Sequence, residues 1–186
     1  MLCTFTGLFA AITYLLDLER KISMNHLTTE SEVEKSVNMG SYNHSYIQAN
    51  LIWLLKNIGK YAVLTELSLD ISNVDLSQFS IKTKEEIKPD VCIYPKRGLS
   101  RPDDILKMSE MPLLVIEILS PKQGTYDILQ KFKVYFALGI KSCWLVEPAI
   151  EVVTVYPSID KRKNFINDKV LDEVLDISLS IPDIFE

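Results

Sequence analysis

Histidine is nearly absent from this 186-residue chain, which holds only His26 and His44. Two histidines leave no room for a histidine-rich zinc site, and they argue against a histidine-based catalytic triad. The six glycines are scattered, and neither GxxxxGK nor GxGxxG occurs, so no glycine-rich loop can cradle a phosphate chain. No G-x-S-x-G elbow and no CxxC pair is present. These gaps exclude nucleotide kinases, Rossmann dehydrogenases, most serine hydrolases and zinc fingers. There is no internal repeat with a period of about 20 to 50 residues, and no low-complexity tract.

Positive charge is also in deficit. Twenty Lys and Arg face 25 Asp and Glu, for a net charge of −5. Such a balance argues against a histone-like binder held by charge alone. It does not exclude a local basic groove, because a partner feels the local field. Basic residues do gather at Lys82, Lys84 and Lys88, at Lys96, Arg97 and Arg101, at Lys131 and Lys133, and at Lys161, Arg162 and Lys163. Each cluster reads first as a solvated surface.

The three cysteines form no motif. Cys92 and Cys143 lie in apolar runs and read as buried thiols. An odd count without a clear signal peptide points to a reducing cytoplasm.

What is present is ordinary globular material: 47% hydrophobic and 24% charged residues, enough for one core. The expected organisation is an N-terminal extension, residues 1–23, and a single domain, residues 24–186. Leu2 to Leu16 is mostly apolar but shorter than the roughly 20 residues of a membrane span. It also lacks the basic start and cleavage site of a signal peptide. Three readings stand for it: an upstream start with Met24 the better one, a helix packed on the domain, or a membrane anchor. The anchor is the least favoured.

Residues 42–58 predict a helix, with Ile47, Leu51, Leu54, Leu55 and Ile58 on one face and Gly59 as the stop. Residues 61–71 predict a strand, 72–86 a turn-rich loop and 87–95 a second strand. A charged loop, 96–111, leads to "PLLVIEILS", a third strand whose unbroken apolar run implies cover on both faces. Residues 125–140 predict a helix with Ile128, Leu129, Phe132, Tyr135 and Phe136 on one face. Strands are expected next at 141–148 and 151–157, with a weaker one near 170–174. One crossover helix inside a strand series implies an α/β fold: a mixed sheet flanked by helices.

Glu117 is the anomaly, a carboxylate inside an apolar strand, where burial without a partner is costly. Asp90 opens the second strand after Pro89. If these strands pair antiparallel through the 96–111 loop, Asp90 and Glu117 become neighbours although 27 residues apart. Two close carboxylates repel unless one is protonated or a cation lies between them. A hard divalent cation such as Mg²⁺ suits an oxygen-only site. Plainer alternatives are a turn role for Asp90 and a structural Lys or Arg partner for Glu117. On the next helix, Asp127, Lys131 and Tyr135 share a face at i, i+4 and i+8, near the end of the Glu117 strand. They make either an arm reaching the carboxylates or an exposed Asp–Lys pair worth about 0.3–0.5 kcal/mol.

These residues resemble the PD-(D/E)XK nuclease superfamily, with its restriction-endonuclease-like fold, and within it the Uma-two family. Pro89-Asp90 matches the PD element and Glu117 the acidic residue of the second element. Leu119 stands where the superfamily usually has lysine. In Uma-two-like sequences that lysine lies on the following helix, and the run from Glu117 to Pro148 shares this pattern through Ser120-Pro121, Tyr126-Asp127, Lys131, Tyr135, Gly139 and Trp144. His44 matches a frequent histidine at the start of the first helix. That helix carries no Glu as an extra ligand; Asn43 and Gln48 are available instead. The likeness spans about residues 27–184. It implies hydrolysis of DNA phosphodiester bonds with Mg²⁺, or Mn²⁺ in its place. Asp90, Glu117 and the Ile118 carbonyl would hold the metal, and Lys131 would act on water or phosphate. Asp127 would position Lys131, and Tyr135 would support it by a hydrogen bond. It also implies DNA as partner and makes a homodimer plausible. A nuclease-fold domain that binds nucleic acid or protein without cutting is the alternative.

Overall fold

A computed structural model describes residues 41–81 and 85–186. The expectations for residues 1–23, and for His26, Lys82 and Lys84, lie outside them.

The first helix, α1, is Tyr42–Asn57. Ser41 caps it, its hydroxyl accepting the His44 N–H, which satisfies one of the donors a helix start leaves open. His44, Ile47, Leu51 and Leu55 are its buried residues, so the buried stripe begins at the histidine. Gly59 ends the segment at φ 77°, a left-handed conformation that glycine adopts without steric cost.

The strands are β1 (Tyr61–Thr65), β2 (Leu69–Asp70), β3 (Glu86–Ile87), β4 (Val91–Pro95), β5 (Leu114–Ile118), β6 (Ser142–Glu147), β7 (Val152–Ser158), β8 (Lys161–Phe165), β9 (Lys169–Asp172) and β10 (Ile177–Ser180). Helix α2, Thr125–Ala137, joins β5 to β6, and a short α3, Ile181–Phe185, closes the chain. Six strands form the main sheet in the order β1-β4-β5-β6-β7-β8. Only β5 and β6 run parallel; the other pairs are antiparallel.

Side-chain alternation divides the core. Val91, Ile93, Leu114, Ile116, Ile118, Trp144 and Val146 pack with Ile47, Leu51 and Leu55 of α1. Cys92, Tyr94, Val115, Cys143 and Leu145 pack with Ile128, Phe132 and Tyr135 of α2. All five residues of β5 are buried, as the unbroken apolar run requires. Among the described residues no helix is long and apolar enough to cross a membrane.

Three details differ from expectation. The strand expected over 61–71 breaks at Glu66, whose φ of 50° turns the chain so that Leu69 pairs with Ile87 instead. The basic run at 161–163 is a strand, β8. It lies at the sheet edge with only Phe165 buried, so no apolar alternation betrays it. Lysines on such an edge discourage pairing with a foreign strand. The third is the β9–β10 hairpin, more than the single weak strand expected near 170–174. Trp144 Nε1 donates to Asp172 Oδ2 at 2.8 Å, and Asp172 Oδ1 accepts the Val174 and Leu175 N–H groups, tying this hairpin to β6.

Candidate active site

The antiparallel register of β4 and β5 sets Val91 opposite Ile116. Continued by one residue, it sets Asp90 opposite Glu117. Glu117 shares with Val115 the α2 face of the sheet, at the carboxyl end of β5. Asp90 sits where β4 has not yet begun, and its side chain does the work of a strand carbonyl: Oδ2 accepts the Ile118 N–H at 2.6 Å. The Leu119 N–H goes the other way, to Val146 of β6. Peptide groups alternate sides along a strand, so the Ile118 carbonyl faces the Asp90 side with its own N–H.

Helices on both faces close on this point. From α2, Lys131 Nζ donates to Glu117 Oε2 at 2.7 Å and Tyr135 donates its hydroxyl to Oε1 at 2.6 Å. From α1, His44 Nε2 lies 3.1 Å from Asp90 Oδ2, and Gln48 Nε2 donates to the Asp90 backbone carbonyl at 2.8 Å. The four-residue spacings of Lys131–Tyr135 and His44–Gln48 place each pair on one helical face.

Electrostatics are set by burial. The Glu117 side chain is 1% exposed, against 27% for Lys131. Burial pushes the Glu117 carboxyl above its ordinary value; Lys131 opposes this and the Asp90 charge adds to it. Burial alone would lower the Lys131 ammonium, but the Glu117 charge and hydrogen bond outweigh it, and the net shift is upward. Lys131 is therefore a cation that holds its proton. The hydrogen bond to Asp90 raises His44, against its own desolvation. His44 Nδ1 is buried with no partner, which favours the tautomer carrying its proton on Nε2, toward Asp90. Tyr135 is pushed well up by burial and then by the Glu117 charge, so it stays a phenol and a donor.

The sequence-predicted residues Asp90, Glu117, Ile118, Lys131, Tyr135, His44 and Gln48 therefore meet at one place. Two assignments change. Asp127 does not position Lys131: it is exposed in the first turn of α2, where a carboxylate suits the helix dipole, and Lys131 turns to Glu117. Tyr135 supports Glu117 rather than Lys131. Gln48 braces the Asp90 backbone. The Ile118 N–H is the participant that sequence reasoning missed, and only the strand register could have revealed it. Of the basic clusters, Arg97 is committed elsewhere, in a two-bonded pair with Glu110 and 4.7 Å over the Tyr94 ring.

The donor set fits a hard cation in kind: two carboxylates and one backbone carbonyl, all oxygen, with water to complete the shell. Each carboxylate oxygen carries two lone pairs, so the bonds to Glu117 leave acceptor capacity, and the hydrogen bonds to the Asp90 carboxylate fall on Oδ2, leaving Oδ1 for a ligand. Among the described residues no three His, Cys, Asp or Glu side chains are arranged to hold a metal ion by themselves, so a cation here would need the backbone carbonyl as well.

Comparison with known proteins bears on the family and the fold. A family model described as Uma2, putative restriction endonuclease, matches residues 25–185. Among solved structures, the chain is similar to a putative nuclease of DUF820 from Anabaena variabilis ATCC 29413. The identity is 22% and the TM-score 0.60, over 79% of this chain and 82% of that one. At that identity the likeness is one of fold. Among curated proteins no significant match is found.

Proposed function

The chain belongs to the Uma2 family of putative restriction endonucleases, and from that and the site we propose that it is a metal-dependent endonuclease hydrolysing DNA phosphodiester bonds. The observation that carries the proposal is the meeting of Asp90 and Glu117, from neighbouring strand ends, with a protonated Lys131 from α2.

Asp90, Glu117 and the Ile118 carbonyl would hold Mg²⁺, with Mn²⁺ a possible substitute. The chemistry such a cation supplies when bound is charge neutralisation at a phosphate oxygen and a lowered pKa for a coordinated water. The remaining roles belong to the chain itself. Lys131 uses one of its three donors on Glu117 and has two left for a water or a phosphate oxygen. A fixed ammonium in a half-dry site stabilises charge developing on phosphate far better than one in water. Tyr135 fixes the rotamer of Glu117, His44 and the Ile118 N–H fix Asp90, and Gln48 fixes the backbone beneath it. The carboxylates are thus preset before substrate arrives. Remaining surface lysines would supply phosphate contacts. Two copies would cut both strands of a duplex.

A second reading has its own observation. Both Glu117 oxygens already accept protein hydrogen bonds, which satisfies the carboxylate without any cation. A nuclease-fold domain that binds nucleic acid without cutting would look this way.

The test is cleavage of plasmid and single-stranded DNA in Mg²⁺ and in Mn²⁺, with calorimetric titration of both metals. Asp90→Asn and Glu117→Gln should each abolish cutting and weaken metal binding. Cleavage at wild-type rate in both variants would refute the site. Nucleic-acid binding with no cleavage in either metal would establish the second reading.

A further inference from the structure

A cleft of about 290 Å³ opens beside the site, at the carboxyl ends of β5 and β6. Its residues adjoin those of the site in sequence: Leu119 comes directly after Ile118, and Asn43 directly before His44. Leu119, Pro121, Pro148 and Ile150 make mostly apolar walls; Ser41, Asn43, Ser120 and Gln123 add neutral polar groups, and Glu147 is the one charged residue in the lining. Among the described residues the Glu147 side chain forms no hydrogen bond or ion pair, so its oxygens are free to accept.

The chemistry narrows the occupant. An acidic group in the wall repels phosphate, so the backbone of a nucleic acid stays outside. Apolar walls suit the face of an uncharged ring. The volume lies at the bottom of the range for small-molecule pockets, about 300–1,000 Å³, too small for a large cofactor. An ionised carboxylate only accepts hydrogen bonds, and its two oxygens match two parallel donors. Among the four bases, guanine alone offers two such donors side by side, N1–H and the N2 amino group. Both are used in a base pair, so the base must be unpaired.

We infer that this cleft binds an unpaired guanine of the substrate strand, with Glu147 reading its N1–H and N2 amino edge next to the scissile phosphate. The inference rests on the nucleic-acid reading of the neighbouring site and adds a base preference to it. Asn43 also lines the cleft and can meet a further base edge.

The experiment is an NMR titration of the full chain in EDTA, monitoring the amides of Glu147, Ala149 and Ile150. The probes are the four deoxynucleoside 5′-monophosphates and deoxyinosine 5′-monophosphate, which lacks the N2 amino group. The deoxyguanosine nucleotide should bind about tenfold tighter than the inosine or adenosine nucleotide, the scale of a two-bonded base contact. Glu147→Gln should lose that preference and favour adenine, since an amide pairs one donor and one acceptor with that base. A single-stranded oligonucleotide with one guanine should shift the same amides, and its inosine counterpart should do so more weakly. No shift at these amides, equal binding of all bases, an unchanged preference in Glu147→Gln, or binding of free nucleotide but not of the strand would each overturn the assignment. The titration needs no turnover. A chain that binds guanine without cutting refutes the nuclease reading alone, and one that cuts without this preference refutes the inference alone.

Discussion

Replacing Lys131 with methionine would remove the cation from Glu117 while keeping most of the side-chain volume. Glu117 is 1% exposed, and breaking a buried pair by deleting one partner costs about 3–5 kcal/mol. Lys131 retains 27% exposure, so water offsets part of the loss, and about 3 kcal/mol is expected at pH 8. Without the Lys131 cation the Glu117 carboxyl is pushed further above its ordinary value, because burial and the Asp90 charge are then unopposed by it. The sign sets the pH profile. Glu117 in the folded chain already lies above its ordinary value of 4.5. A carboxyl raised on folding contributes stability that is present below its unfolded value and lost as pH rises through its folded value. The penalty for Lys131→Met should therefore be below about 1 kcal/mol at pH 5 and full at pH 8. Urea denaturation in EDTA at the two pH values measures it. Adding Glu117→Gln to the same chain should return most of the loss at pH 8, because the amide carries no charge and still accepts from Tyr135. A penalty equal at both pH values and unaffected by Glu117→Gln would show that Lys131 acts through packing alone.

Tyr135→Phe leaves Glu117 Oε1 without its donor, and a loss of about 1–3 kcal/mol in urea denaturation is expected. Trp144→Phe removes the indole donor from Asp172 Oδ2. Destabilisation of about 1–3 kcal/mol should come with faster hydrogen exchange across the β9–β10 hairpin. Cys92 is fully buried and its thiol is pushed up to about 12, so iodoacetamide should leave it unmodified at pH 8 until the chain unfolds.

How much of this was legible depended on whether the signal was local. Glu117 stood out because a charge in an apolar run is a conflict visible in nine residues. Its neighbour Asp90 came from one assumption, an antiparallel turn through the 96–111 loop, and that pairing exists. Lys131 and Tyr135 came from helical spacing. Spacing gives a face, however, and not a partner: the same period fits Asp127–Lys131, but the buried carboxylate took Lys131 because burial strengthens its attraction. Glu66 gave no sign of its turn, since its left-handed conformation serves the pairing of Leu69 with Ile87 and not its own chemistry. The Trp144–Asp172 bond spans 28 residues and leaves no pattern in the chain. β8 escaped because an edge strand with four exposed polar residues looks like a loop.

Asp90 completes the ladder at the end of β5, and this divides what any substitution there can mean. An alanine would delete a candidate ligand and, in the same stroke, leave the Ile118 amide without its acceptor. Lost activity in that variant could not tell a missing ligand from a frayed strand. Asparagine keeps one oxygen for the amide while giving up the charge, so it alone separates holding the sheet from holding a cation. The residue holds the strand end whether or not it also holds a cation, so a chain that gave up cutting would still have a reason to keep it.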